Sequence, residues 1–210
     1  LHRYGIRTRE IGLNWAKADS RFDLSKEVNE PNKVGYVVEI DPLNPNSTPK
    51  KHTALGRFKH ENAELVISKD GKIIVYMGDD ERGEYLYKYV SNESINEVKD
   101  KSTLLSNGNL YVAKFNDNFT GEWLLLDTQT TGLSSKAEVC IFTRLAASKV
   151  GATTMDRPEW IASNPKKNEV CCCLTNNKNR GIKTNKGGDK VDVDKVNPRK
   201  NNKYGQIVRW

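Results

Sequence analysis

Apolar positions along this chain recur mostly at period two, in short runs cut by turn residues, which is the pattern of half-buried β-strands. Residues 34–40 (VGYVVEI) form a β-branched run closed by Asp41-Pro42 and the turn-forming 44–47. Residues 53–58 read as a short strand leading into His60-Glu61. Residues 63–68 and 72–77 flank Asp70-Gly71, and Asp-Gly between two β-branched runs is a strong hairpin signal. Tyr85, Tyr87 and Tyr89 alternate onto one face of a strand over 84–90, and 109–115 pairs with 122–126 across a polar turn. Further strands are expected at 160–163, 169–175 and 206–210.

The helical period appears once, over about 135–150. Ser134 or Ser135 can cap it, Ala137, Cys140, Ile141, Leu145 and Val150 approximate an apolar stripe, and Gly151 ends it. Residues 1–33 are polar and turn-rich. Leu1-His2-Arg3-Tyr4 reads as mid-protein sequence, and 206–210 as a strand cut in progress, so a fragment of a longer protein is expected.

Two stretches share one plan. Glu61 opens a strand, a turn and a second strand that ends in Asp79-Asp80, and Glu159 opens a similar unit that ends in Asn176-Asn177. The glutamates stand 98 positions apart, close to two blades of a β-propeller at roughly 40–50 residues each. Inner strands of such blades face a central channel, where carboxylates distant in sequence converge. A mostly-β partial propeller over 1–210, with one inserted helix around 135–150, is the fold this predicts.

Charge changes the picture in one place. The chain has 34 Lys and Arg against 27 Asp and Glu, a net +7. The excess lies in 165–203, rich in Asn, Gly and Lys, with no aromatic residue before Tyr204. Without a stacking platform, nucleic acid is a weak partner for it, and 178–203 reads as a basic, polar, solvated loop. The run Cys171-Cys172-Cys173 points alternately to two faces of a strand, so it makes no tetrahedral metal site by itself, and buried packing is the expected role. No run approaches the ~20 apolar residues of a membrane span.

Glu61 and Glu159, with Asp79, Asp80 and Glu81, are candidate metal ligands, since clustered hard oxygens suit calcium, magnesium, manganese or ferric iron. The competing role is turn capping or pairing with Arg57 and Arg82. Arg157 offers a fork for a phosphoryl group, against a salt bridge to Asp156 or a neighbouring strand. His60, beside Glu61, fits packing better than catalysis. Hydrolase, P-loop and dinucleotide fingerprints are missing from the sequence.

Residues 35–42, 53–61, 76–81, Met155-Asp156-Arg157-Pro158-Glu159-Trp160, 174–177 and 204–210 resemble, in order, the PhoX alkaline phosphatases. The resemblance implies a propeller phosphomonoesterase acting on small phosphate esters, and a monomer is expected. It also implies export by the twin-arginine route to the periplasm or beyond the cell. It further implies a site of ferric iron and calcium, with Glu61 and Glu159 as ligands, Arg157 on the substrate phosphate, and a member of Asp79-Asp80-Glu81 contributing. The family's cysteine ligand and further acidic ligands fall outside the region matched here, and neither Cys140 nor 171–173 sits in that cysteine's motif. A calcium-stabilised propeller that binds a partner without catalysis is the alternative.

Overall fold

The computed structural model describes residues 1–7 and 12–210, which divide into two units, Leu1–Gly35 and Tyr36–Trp210. The first is built of short turns, as its composition predicts. Its helix α1 (Trp15–Ala18) is followed by a 3₁₀ turn at Ser20–Phe22, and Trp15 meets Phe22 edge to face at 5.6 Å.

The second unit is antiparallel β. A ribbon pairs β1 (Val37–Glu39) with β2 (Lys50–His52). A five-stranded meander follows in sequence order: β3 (His60–Ile67), β4 (Lys72–Asp79), β5 (Leu86–Ser94), β6 (Gly108–Phe115) and β7 (Gly121–Leu125). Helices α2 (Thr128–Thr131), α3 (Lys136–Ile141) and α4 (Thr143–Lys149) come next, and then a three-stranded sheet. Its strands are β8 (Pro158–Ser163), β9 (Val170–Leu174) and β10 (Gln206–Arg209), with β9 in the middle. The Asp70-Gly71 hairpin and the strands expected over 84–90, 109–115, 122–126, 160–163, 169–175 and 206–210 all form, most within a residue or two at their ends, while β3 starts three residues before the expected 63 and β5 runs four residues past the expected 90.

Three expectations change. The run over 34–40 is a strand only at Val37–Glu39. Residues 53–58 hold a 3₁₀ turn, Thr53–Leu55, ended by Gly56 at φ 83. The helix over 135–150 is broken at Phe142. The Cys140 carbonyl, which should accept from Arg144 in a continuous helix, instead accepts from the Arg57 amide at 2.9 Å and the Thr143 hydroxyl at 2.7 Å. The break resets the helical phase, so Ala146 and Ala147 are buried and Leu145, expected in the stripe, is exposed.

Each side of the meander carries a core. One holds Ile73, Val75, Met77, Tyr87, Tyr89, Leu110 and Val112 against Val139, Ala146 and Ala147 of the helices. All three alternating tyrosines are buried there. Phe58 stacks on Tyr87 at 4.3 Å and on His60 at 3.7 Å. His60 donates Nε2–H to the Gly56 carbonyl, and burial pushes it down to about 4, so it is a neutral packing residue at pH 7. The second core joins the meander to the other sheet through Leu86, Ala113, Ile161, Cys172, Leu174 and Val208. Cys172 faces this core and Cys173 faces solvent, as strand alternation requires.

The two sheets meet where β8 runs beside β3, and side chains replace a backbone ladder there. The Asn62 amide donates to the Ile161 carbonyl (2.8 Å) and accepts from the Ile161 N–H (3.1 Å). Glu64 accepts from the Ser163 N–H at 2.8 Å. These bonds satisfy a strand edge that would otherwise present unpaired groups. Gly78 is required at the crossing, because a Cβ on it would stand 2.8 Å from the Pro158 carbonyl oxygen.

Two fully buried ion pairs flank this crossing. Arg144 donates Nε–H and Nη2–H to the two oxygens of Asp79, each at 2.7 Å, with Glu84 at 3.8 Å. Asp156 accepts from Arg180 Nε (2.8 Å), Asn177 (2.8 Å) and Asn202 (3.0 Å). The segment expected to be a solvated loop is therefore pinned at both ends and in the middle. Its lysines reach outward, while Arg180, Asn185, Val191, Asn197 and Asn202 are buried.

Arg144→Leu would leave Asp79 and Glu84 in the core without their cation, and a loss of about 3–5 kcal/mol is expected. A lower urea midpoint would register it, and an unchanged midpoint would contradict a structural role for the pair. Asp156→Ala should free the 178–203 segment. Trypsin should then cut its lysines about tenfold faster or more, with cleavage at the parent rate as the contrary result.

Candidate active site

The site begins as two β-bulges. β3 and β4 pair at His60↔Asp79 and again at Ala63↔Met77, so Glu61 and Asn62 together oppose Gly78. β8 and β9 pair at Pro158↔Leu174 and again at Ile161↔Cys172, so Glu159 and Trp160 together oppose Cys173. Each glutamate is thus the first residue of a bulge at the start of its sheet, where bulges commonly re-aim a side chain. Since Gly78 abuts Pro158, the two bulges are neighbours. The register sets Asp79 level with Leu174, two residues before the Asn176 that sequence spacing selects.

Between the buried pairs, chain neighbours turn outward. Asp79 points inward to Arg144, and Asp80 accepts from Arg157 through Nε (2.8 Å) and Nη2 (3.0 Å). Asp156 points inward to Arg180, and Arg157 projects to the surface from a left-handed backbone at φ 54. A non-glycine residue there costs of order 1–3 kcal/mol and persists only where its surroundings impose it. Here the constraints lie on both sides. Residues 82 and 156 bridge, Gly83 N–H donates to Met155 O, and Thr175 N–H donates to Arg157 O.

Arg157 Nη2 also lies 3.2 Å from Glu159 Oε1, which accepts from the Thr175 hydroxyl at 2.9 Å. Arg157, Asp80 and Glu159 are each about three-quarters buried. Pairing with Asp80 raises the guanidinium's affinity for its proton further, although burial opposes it. Glu81 receives Lys59 (3.0 Å) and Lys186 (2.8 Å). Burial raises its carboxyl, but the hydrogen bonds from Lys186 and Lys59 outweigh that and hold it at about 2.

Of the residues singled out in the sequence, the fold gathers Asp80, Arg157 and Glu159 into one ionic cluster with Glu81 beside it. Asp79 is drawn away, since both of its oxygens are occupied by Arg144. Glu61 is exposed and makes no side-chain bond within the described residues. Arg157 pairs with Asp80 and Glu159 rather than with Asp156. Thr175, Lys59 and Lys186 were not singled out. Thr175 lies inside the resembling 174–177 stretch, whereas Lys186 is 105 positions from Glu81 in a segment read as solvated.

The carboxylates gathered here are hard oxygens, a chemistry that suits calcium or ferric iron. Among the described residues, however, no group of three or more His, Cys, Asp or Glu is arranged to hold an ion. Of the two glutamates, Glu61 makes no side-chain bond among the described residues and Glu159 shares its charge with Arg157.

The family model for alkaline phosphatase PhoX matches residues 1–210. No curated protein matches the chain. Among solved structures, Pseudomonas fluorescens PhoX in complex with vanadate, a transition state analogue, matches at 48% identity with a TM-score of 0.88. That match covers 100% of this chain and 38% of the solved one, so the chain spans well under half of that protein's length. The likeness establishes the mostly-β, propeller-like fold. A full-length family match and a close structural relative lead to one conclusion: the chain belongs to the PhoX alkaline phosphatase family.

Proposed function

We propose that this chain forms part of the active site of a metal-dependent phosphatase that hydrolyses small phosphate monoesters. The observation that carries the reading is Arg157, held at φ 54 with its fork fixed by Asp80 and Glu159 and its Nη1 group left without a partner among the described residues. A guanidinium so fixed can donate from Nη1 to a phosphoryl oxygen without reorganising as charge develops. The family relationship and the vanadate bound by the solved relative support the same reading.

In this proposal Arg157 binds and orients the phosphate. Asp80 holds the fork in plane, and Thr175 holds Glu159. Glu61 and Glu159 are hard-oxygen donors toward ferric iron and calcium, which when bound supply Lewis acidity for the charge on phosphorus oxygens. Asp80 and Glu81 could join them only by giving up their cation partners. Asp79 is assigned to the core, because a metal there would have to displace Arg144. Periplasmic or extracellular placement follows the family. No helix among the described residues is long and apolar enough to cross a membrane.

The test is kinetics and elemental analysis on the full-length protein. Arg157→Ala should lower kcat about 10²–10³-fold and raise KM for p-nitrophenyl phosphate, with metal content unchanged. Normal kinetics in that variant would remove Arg157 from the site. Glu159→Gln should lower bound iron or calcium, and a full metal complement would contradict its ligand role. Calcium without iron, and no turnover in the parent, would favour a non-catalytic binding propeller.

A further inference from the structure

A cleft of about 520 Å³ lies between β7 and β10, the strands farthest in their sheets from the β3–β8 crossing. Its wall is aromatic. Trp123 of β7 and Trp210, just past β10, meet edge to face at 6.0 Å, and both rest on Tyr76, at 5.8 and 5.6 Å. Two backbone bonds with Val170, of 2.9 and 3.0 Å, fix Trp210 in place. Phe115, Trp123 and Trp210 are each only half-buried, so they border the cleft as well as the second core.

Phe119 also lines the cleft, 82% exposed and on a left-handed backbone at φ 63. In a hairpin turn such as this one, between β6 and β7, glycine or asparagine usually fills that conformation. A phenyl ring there is strained and keeps its apolar surface in water, and it belongs to neither core. The turn is fastened beneath it, since Asn116 N–H donates to the Thr120 carbonyl (2.9 Å) and Phe119 N–H to the Asn116 carbonyl (3.2 Å). Strain of this kind, with no return in packing, points to a role in binding.

Charge narrows the ligand. Lys114, Lys195 and Arg209 line the cleft against one acid, Glu122. Glu122 pairs with Lys114 at 3.5 Å, and Arg209 lies 3.7 Å from Glu169. Lys195 meets no carboxylate among the described residues, and its ammonium stands 5.9 Å from the Phe119 ring. Lys88, likewise without a carboxylate among them, lies over Trp123 at 4.8 Å.

We propose that this cleft binds a small aromatic anion. Its ring would lie against Trp123, Trp210 and Phe115, with Phe119 over it and its charged group at Lys195. The volume suits a molecule of one or two rings, the aromatic wall selects a planar ring, and the ammonium groups select the sign. None of these residues serves the phosphatase reading, and the proposal stands without it.

The experiment is calorimetry on the full-length protein with 2-naphthoate, its neutral counterpart 2-naphthamide and its saturated counterpart decahydro-2-naphthoate. The parent should bind 2-naphthoate with a Kd of roughly 10 µM to 1 mM, and each counterpart about tenfold more weakly or worse. Lys195→Gln should weaken the anion about three- to tenfold and leave the amide unchanged. Trp123→Leu should weaken it about tenfold or more. Phe119→Gly should weaken binding without lowering the urea midpoint, because glycine accepts φ 63. A lower midpoint with intact binding would make Phe119 structural and overturn its role. Arg157→Ala should bind as the parent does. No saturable binding by the parent, or equal affinity for 2-naphthoate and 2-naphthamide, would overturn the proposal. So would parent affinity in Phe119→Gly and Lys195→Gln, two exposed positions that keep the test decisive if Trp123→Leu does not fold. Binding lost in Arg157→Ala and kept in those two variants would place the ligand at the ionic cluster, overturning this site and leaving the phosphatase reading intact.

Discussion

At the crossing of β3 and β8, two strand edges lie side by side without sharing a ladder. A continuous ladder would merge the two sheets into one and carry both bulges away from each other. Side-chain bonds from Asn62 and Glu64 to Ile161 and Ser163 hold the edges in register while leaving the sheets distinct. Gly78 sets how closely they approach, since any larger residue would push against Pro158. The adjacency of the two glutamate bulges, and hence the whole ionic cluster, depends on that contact.

The same crossing explains why buried and surface charges alternate. In both segments neighbouring side chains turn opposite ways. Asp79 and Asp156 turn into the protein and bind Arg144 and Arg180, while Asp80 and Arg157 turn outward and bind each other. The inward pairs are unforgiving, because each partner is fully buried and would be stranded without the other. Beside them, the 82–156 bridge and the Gly83 and Thr175 amides hold Arg157 on a left-handed backbone. Stability and site geometry are two faces of the same tetrapeptide-scale pattern.

Much of this was legible in the chain, and the limits have physical causes. The Asp70-Gly71 hairpin, the tyrosine alternation and the Glu61/Glu159 repeat depend on local periodicity, which sequence carries directly. The helix break at Phe142 depends on the Arg57 amide, which lies over eighty positions away and competes for one carbonyl. Adjacent acids at 79, 80 and 81 look interchangeable as letters, yet they meet Arg144, Arg157 and a lysine pair in turn. The 178–203 segment misled through its charge. Its lysines stay exposed, but Lys186 pairs with Glu81, and scattered asparagines and Arg180 find buried partners that no local pattern announces.

The outward cluster is balanced in charge. Lys59, Arg157 and Lys186 pair with Asp80, Glu81 and Glu159, so three cations meet three carboxylates, with Glu61 exposed at the neighbouring bulge. Partial burial of Arg157, Asp80 and Glu159 weakens screening by water and salt, so their attraction acts at closer to full strength than pairs among fully exposed charges. The two carboxylates fix the direction of the Arg157 fork and, among the described residues, leave its Nη1 without a partner. With fewer acids the arginine would swing, and with more its charge would be cancelled.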